Sequence, residues 1–348
     1  MTPEYTRHNS GGRVTATMVA KHAGVSVATV SLVVNDKYRG RVSPANVKKV
    51  RQSIDELGYV VDRVASSLSK GSSDLVILIA PDISNPFFAG VIAGIKEVIA
   101  DRFQLLVSVT DDGNLPRAQE IRASLEFRPS ALLIFAPNES FVDDVRGHAP
   151  MVLIDAPGME HVAPTINIDI DASARLLGDH LIDLGHRSFG YLDSTTGSKT
   201  FDLRREALMD QISEGGGSQS VCVSARSVVE FEAAANAFVA SWPQWQSDGV
   251  TCVICATDIQ AYGVIKAARE LGLAIPGDLS VASFDNLSYS SISSPSLTSV
   301  ELPSVELGRS AARHALALID GEAVRVTHEV FAGELYIRES TAAPATSS

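Results

Sequence analysis

Residues 19–35 read Val19-Ala20-Lys21-His22-Ala23-Gly24-Val25-Ser26-Val27-Ala28-Thr29-Val30-Ser31-Leu32-Val33-Val34-Asn35, and this stretch decides the fold of the N-terminal region. Thr15 stands where an N-cap would, before a helix over 16–23. Ala23-Gly24 ends that helix, because glycine enters a left-handed turn without a Cβ penalty. Ser26 caps a second helix over 27–34, in which Val27, Val30 and Val34 recur at helical spacing. Asn35-Asp36 stops it, and a basic loop over 37–41 follows. The third helix carries the fullest set of signals: Ser43 as N-cap, Pro44 in the first turn, Val47, Val50, Ile54 and Leu57 as the buried stripe, and Gly58 as terminator. Two short helices joined by a glycine turn and braced by a third make a helix-turn-helix plan, although a small three-helix bundle of any purpose would carry the same caps.

Working outward, charge separates the two readings. The 348 residues carry a net charge of −12, yet residues 1–71 hold 11 Lys+Arg against 5 Asp+Glu, a net +6, which leaves −18 for the remainder. A basic head on an acidic body predicts that only the head meets a polyanion. The chain is 45% apolar and 20% charged, and its length predicts two or three domains with a substantial core. No apolar run approaches the ~18 residues of a membrane helix. Residues 1–13 are polar without an apolar core, and three cysteines cannot form a disulfide framework. A reducing cytoplasm is the expected compartment, with residues 1–13 a disordered tail.

The quoted run, together with Val42-Ser43-Pro44 and Leu57-Gly58-Tyr59, resembles the DNA-binding head of the LacI/GalR family of bacterial transcription regulators. The resemblance continues over roughly residues 14–340. It implies a helix-turn-helix domain over 14–60, a hinge helix and linker over 61–73, and an effector-binding and dimerisation domain over 74–340. It also implies that Val27 and Ala28 open the recognition helix, and that Thr15, Ser26, Thr29, Ser31, Asn35 and Arg41 contact DNA or hold that helix in register. Many members have Arg where this chain has Leu32. Leucine cannot donate to a guanine edge, so readout here is expected to be more apolar, such as a thymine methyl.

The stretch Arg63-Val64-Ala65-Ser66-Ser67-Leu68 is too short to be a stable helix alone, since isolated helices below ~12–15 residues are marginal in water. By itself it reads as a flexible linker. The resemblance instead makes Arg63, Ala65 and Leu68 part of a hinge helix that orders on operator DNA, with Leu68 as the wedge that kinks the central base step through the minor groove.

From Asp74 onward apolar β-branched runs alternate with amphipathic helices. Strands are predicted at 75–80, 105–109, 131–135, 151–154, 165–168, 189–192, 220–223, 250–255 and 279–284, with helices between. Such alternation means parallel sheets flanked by helices, and the number of units divides into two doubly wound parallel-sheet subdomains. The resemblance to periplasmic binding proteins implies three chain crossings between them, placing an N-subdomain at about 74–170 plus 302–328 and a C-subdomain at about 171–300 plus 329–340. Residues 213–220 are expected to form a surface loop and 341–348 a tail.

Ligands in these folds bind beyond the carboxyl ends of the strands. The loop Pro81-Asp82-Ile83-Ser84-Asn85-Pro86-Phe87-Phe88 matches the family's signature loop, and the resemblance implies that Phe87 and Phe88 stack on the effector ring; two core aromatics at a helix start would look the same. It also aligns Arg204, with Ser198 and Thr200 just upstream, and Asp285 with residues that bind effectors, whereas a surface ion pair is the plainer reading of Arg204. Thr257-Asp258 replaces a frequent Asn-Asp. Arg226 falls near a frequently aromatic position: as a second arginine it would suit an anionic ligand, and it is equally compatible with solvent.

Cys252-Val253-Ile254-Cys255 has redox-motif spacing but sits in a predicted strand, where residues three apart face opposite sides, so both are expected in the core. His180 and His186 are expected to be structural. No phosphate loop, nucleophile elbow or HExxH motif occurs, and neither catalysis, a metal nor a cofactor is expected. The sequence thus predicts a homodimeric, effector-controlled regulator of a pseudo-palindromic operator. A repressor is the leading reading and an activator or dual regulator the alternative. The effector would be a sugar or sugar derivative. A sugar-binding protein without DNA function would need an export signal and no basic head.

Overall fold

The computed structural model describes residues 14–34, 36–59, 73–81, 83–109, 118–216, 221–322 and 327–345. Asn35, Asp82, the tail over 1–13 and the expected hinge with Arg63, Ala65 and Leu68 lie outside the described residues. The chain divides into two units, Met1–Lys70 and Gly71–Ser348.

In the first unit, α1 (Ala16–Ala23), α2 (Val27–Val34) and α3 (Pro44–Leu57) follow the caps read from the sequence. Thr15 accepts from the Met18 N–H at 3.4 Å, and Gly24 closes α1 at φ 66°. The α1 and α2 axes turn by 105°, within the helix-turn-helix range of ~90–120°. Val19, Ala20, Ala23, Val30, Val33, Val47 and Val50 form one small core shared by the three helices.

The second unit holds two six-stranded sheets. The first is built from β1 (Leu75–Ala80), β2 (Gln104–Val109), β3 (Ala131–Phe135), β4 (Met151–Ile154), β5 (Thr165–Ile168) and β11 (His328–Phe331), in the order β11-β5-β4-β3-β1-β2, all parallel. The second is built from β6 (Ser188–Ser194), β7 (Val221–Ser227), β8 (Cys252–Cys255), β9 (Ser280–Asp285), β10 (Thr298–Glu301) and β12 (Glu334–Tyr336), in the order β12-β10-β9-β8-β6-β7, with only β12 antiparallel. Central strands such as β1, β3 and β8 are apolar without alternation because helices cover both faces.

Helices α4 (Phe87–Ile99), α5 (Ala118–Leu125), α6 (Glu139–Val145) and α11 (Ser304–Ile319) belong with the first sheet. Helices α7 (Ile170–Asp183), α8 (Lys199–Gly216), α9 (Phe231–Ser247) and α10 (Asp258–Glu270) belong with the second. Helices α4 and α11 touch backbone to backbone. A Cβ on Gly94 would lie 2.1 Å from the Val305 carbonyl oxygen, and one on Gly308 2.1 Å from that of Val91.

Several expectations need correction. Helix α7 begins at Ile170, directly after β5, because Asp169 caps it by accepting from the Ala172 N–H at 2.9 Å. Helix α8 starts at Lys199 and runs through Gly216, into the stretch expected as a loop from 213, while β7 continues to Ser227. The segments α6, α11, β10, β11 and β12 were not assigned from sequence. Strand β11 pairs with β5 and β12 with β10, so the chain returns to the second sheet after Phe331, within a few residues of the expected boundary at about 328. Thr341 and Ala342 are not tail: the His180 ring bonds the Thr341 hydroxyl at 3.0 Å, and the His186 ring bonds the Ala342 carbonyl at 2.9 Å.

In each sheet the order reverses beside the first strand, between β1 and β3 and between β6 and β8. Loops leaving the carboxyl ends of those strands diverge there and open a crevice. Both crevices belong to one cavity.

Candidate functional site

The cavity measures about 640 Å³ and is lined from both lobes. From the first lobe come Asn85, Phe87, Phe88, Phe135 and Asp155; from the second come Ser198, Thr200, Phe201, Arg204, Thr257 and Asp285.

The loop after β1 turns into α4 through Asn85, whose Oδ1 accepts from the Phe87 N–H at 3.0 Å. Phe87, Phe88 and Phe135 pack edge to face with centroids 5.6, 5.9 and 4.9 Å apart, the geometry favoured by ring quadrupoles. All three are buried, so they are core and cavity wall together.

Arg204, on α8, is 4% exposed. Its Nη1 donates to the Ala256 carbonyl at 2.8 Å, and its guanidinium lies 4.7 Å from the Phe284 ring and 5.3 Å from that of Phe201. The plain alternative of a surface ion pair does not describe it. Asp285 ends β9 and accepts from Asn85 Nδ2 at 3.0 Å across the cavity. Burial, and then the nearby Asp258 carboxylate, push the Asp285 carboxyl up to about 7, while Arg204 and Asn85 hold it down.

Asp155 follows β4 at φ 53° and was not read as a site residue from the sequence. It is 7% exposed and faces the cavity with Thr200. Burial pushes its carboxyl up, against the favourable influence of the Thr200 hydroxyl and Arg204. Its Oδ1 and Thr200 Oγ1 lack a hydrogen bond of good geometry within the described residues. The available signal was position, an acid directly after a predicted strand.

Ser198 and Thr257 line the cavity, but their hydroxyls serve the backbone. Ser198 accepts from the Thr200 N–H at 3.3 Å, and Thr257 caps α10 by accepting from the Gln260 N–H at 3.3 Å. Arg226 is not among the lining residues. Its guanidinium pairs with Asp193 at 3.2 Å and Asp202 at 3.8 Å, in a cluster shared with Arg205, so its expected role in binding an anion is not supported. Cys252 and Cys255 are both buried in β8 and pack into different core clusters, as the strand period requires. Among the described residues no group of three or more His, Cys, Asp or Glu side chains could hold a metal ion.

In the first unit, Val27 is 46% exposed, and Ala28 and Ser31 are also exposed on α2. Thr29 and Leu32 are half-buried. The Ser26 hydroxyl accepts from the Thr29 N–H at 3.1 Å and bonds the Thr29 hydroxyl at 2.9 Å, fixing the start of the helix. Arg41 is exposed in the basic loop. That loop is braced by Arg51, which lies 5.4 Å from the Tyr38 ring centre and donates to its hydroxyl at 3.3 Å.

Known proteins match both units. Residues 17–62 match the model for bacterial regulatory proteins of the lacI family, and residues 178–341 match the periplasmic binding protein-like domain. An HTH-type transcriptional regulator of Streptomyces lividans is 30% identical over 344 residues, covering 93% of this chain and 95% of the relative. The chain belongs to the LacI family of bacterial regulatory proteins. Family membership makes it a transcriptional regulator and not an enzyme. The ribose operon repressor of Halalkalibacterium halodurans is 29% identical, covering 93% of this chain and 96% of the relative. A lac repressor dimer bound to operator and an anti-inducer superposes with a TM-score of 0.79 at 24% identity, covering 95% of this chain and all of that one. A LacI family regulator from Mycobacterium smegmatis superposes with a TM-score of 0.65 at 26% identity over 78% of this chain. The helical head and two-lobed α/β body are therefore the LacI-family fold.

Proposed function

We propose that this LacI-family chain is a repressor that binds a pseudo-palindromic operator as a homodimer and is controlled by an uncharged sugar or sugar derivative in the cleft. The observation that carries the effector reading is the cavity itself, walled by Phe87, Phe88 and Phe135 and lined from the two lobes by the polar residues Asp155, Thr200, Arg204 and Asp285. Apolar ring faces backed by directional polar groups suit a polyol. Charge argues against an anion: Asp155 and Asp285 face the cavity against Arg204 alone, and Arg226 is held elsewhere by Asp193 and Asp202. A relative named for the ribose operon, and neighbours with bound cellobiose and ribose, favour the same class.

Val27, Ala28 and Ser31 supply the base-reading face of the head, with Leu32 at its margin and Thr15, Ser26, Thr29, Asn35 and Arg41 placing it on the backbone. Arg63, Ala65 and Leu68 form the hinge in the minor groove. Buried, unlinked Cys252 and Cys255 suit a cytoplasmic protein. A thermal-shift screen of neutral sugars, nucleosides and sugar phosphates tests the effector class, since a ligand of the native state raises Tm. A rise with neutral sugars alone supports the reading, and a rise confined to sugar phosphates overturns it.

A further inference from the structure

The Asp285 backbone sits at φ 112° and that of Asn286 at φ 50°, two successive conformations that L-residues rarely adopt. Such a turn persists only where its surroundings over-determine it. Asp258, the first residue of α10, does this from outside the cavity. It is fully buried and is not a lining residue. Its Oδ2 accepts from the Leu287 N–H at 2.7 Å and from the Ser290 hydroxyl. Its Oδ1 accepts from the Ser299 hydroxyl at 2.6 Å and from the Ser283 hydroxyl. Ser299 Oγ in turn accepts from the Asn286 N–H at 3.0 Å. Both backbone amides after Asp285 are thus anchored on one carboxylate, directly or through one serine. With four donors the carboxylate has about its full complement of partners, without a cation.

We propose that Asp258 is the positioning residue of the cleft: it clamps the Asp285–Leu287 turn so that the Asp285 carboxylate points across the cavity at Asn85. The consequence for a ligand rests on the cleft being the effector site, whereas the clamp itself does not. A ligand would then meet an Asp285 set in place beforehand, so that selectivity for its hydroxyls is fixed partly by a residue it never touches.

Two properties of Asp258 are separable. As an acceptor it holds the turn; as a charge it raises the proton affinity of Asp285. The charged groups facing Asp285 are Asp258 of α10 and Arg204 of α8, with the neutral Asn85 amide and the Tyr262 phenol beside them.

The test uses the full chain without ligand and reads residue-resolved amide exchange and the titration of ¹³C-carboxyl-labelled aspartate. Asp258→Ala should speed exchange at Asn286 and Leu287 about tenfold or more, while Ala282 and Phe284 in β9 stay protected. Asp258→Asn keeps an acceptor and should restore protection, yet lower the Asp285 midpoint because the neighbouring negative charge is gone. Ser299→Ala should expose Asn286 and spare Leu287. Wild-type exchange at both amides in Asp258→Ala, or an unmoved midpoint in Asp258→Asn, overturns the proposal. Should Asp258→Ala fail to fold, Ser299→Ala decides alone, and unchanged Asn286 exchange there overturns it. Failure of every sugar to bind would refute the effector reading and leave these outcomes readable.

Discussion

Asn85 and Asp285 lie 200 positions apart in the chain and meet at 3.0 Å, amide nitrogen to carboxylate oxygen, joining the two lobes across the cavity. Asn85 also starts α4 through the Phe87 amide, so one side chain links the aromatic wall of one lobe to the acid of the other. A ligand that competes for Asp285 must therefore also act on Asn85. This gives a physical route from cleft occupancy to lobe geometry.

The Asp285 carboxyl, pushed up to about 7 by burial first and by Asp258 second, ties stability to pH. Its folded pKa lies above the ~3.9 of an unfolded aspartate, so between about pH 4 and 7 the folded state binds more protons than the unfolded one. This group therefore favours folding at low pH, and that contribution is lost as pH rises through the window. Asp285→Asn should raise Tm at pH 8 and change it less at pH 5, as differential scanning calorimetry at the two pH values would show. A larger gain at pH 5 contradicts the assignment.

For the first neutral sugar found to raise Tm, Asp155→Ala and Asp285→Ala should each weaken binding about 10- to 150-fold, the loss of a charge-assisted hydrogen bond at ~1.5–3 kcal/mol. Arg226→Ala should change affinity less than about twofold, because its guanidinium belongs to the Asp193–Asp202 cluster. Operator affinity without ligand should stay at the wild-type value in Asp155→Ala and Arg226→Ala, neither of which touches the Asn85–Asp285 link between the lobes. Calorimetric titration separates these outcomes.

Gly94→Ala should destabilise the body by about 1–3 kcal/mol, the usual cost of overpacking. The new methyl would meet the Val305 carbonyl oxygen at 2.1 Å, and backbone cannot rotate away as a side chain would. Urea unfolding with an unchanged midpoint would mean that α4 and α11 separate more easily than their contact indicates.

Leu32→Arg should change the operator consensus selected from random DNA, adding a preference for guanine worth ~1–3 kcal/mol where arginine reaches its O6 and N7. An identical consensus for both proteins would place residue 32 away from the bases. Leu68→Ser should lose operator affinity and DNA bending together while sugar binding persists.

The head was legible because its signals are local. Ser43, Pro44, Gly24 and Gly58 each fix a cap within a few residues, and the structure places them there. Helix α11 was not read from the sequence, although its buried positions Leu307, Gly308, Ala311, Ala312 and Ala315 recur at helical spacing. Strand β10, Thr298–Glu301, is polar in composition yet its first three residues are buried, because Asp258 holds the Ser299 hydroxyl while Arg338 and Thr341 hold that of Thr298. Arg204 and Asp285 were found by resemblance, and the structure brings them to one cavity. Asp155 was missed because its meaning comes from Thr200, which only the tertiary fold sets opposite it. For Arg226 the sequence left two readings open, because spacing along the chain does not reveal that Asp193 and Asp202 hold its guanidinium.

The central claim is that cleft occupancy controls operator binding, and one measurement addresses it most directly. An operator selected from random DNA by the full chain is labelled, and its affinity is measured by fluorescence anisotropy with and without saturating amounts of the sugar that raises Tm, for wild type and Asp285→Ala. The account predicts a change of about tenfold or more in wild type, which at ~1.4 kcal/mol lies within the usual allosteric range, and a much smaller change in the variant. Equal operator affinity with and without a sugar that demonstrably binds the wild-type cleft would contradict it.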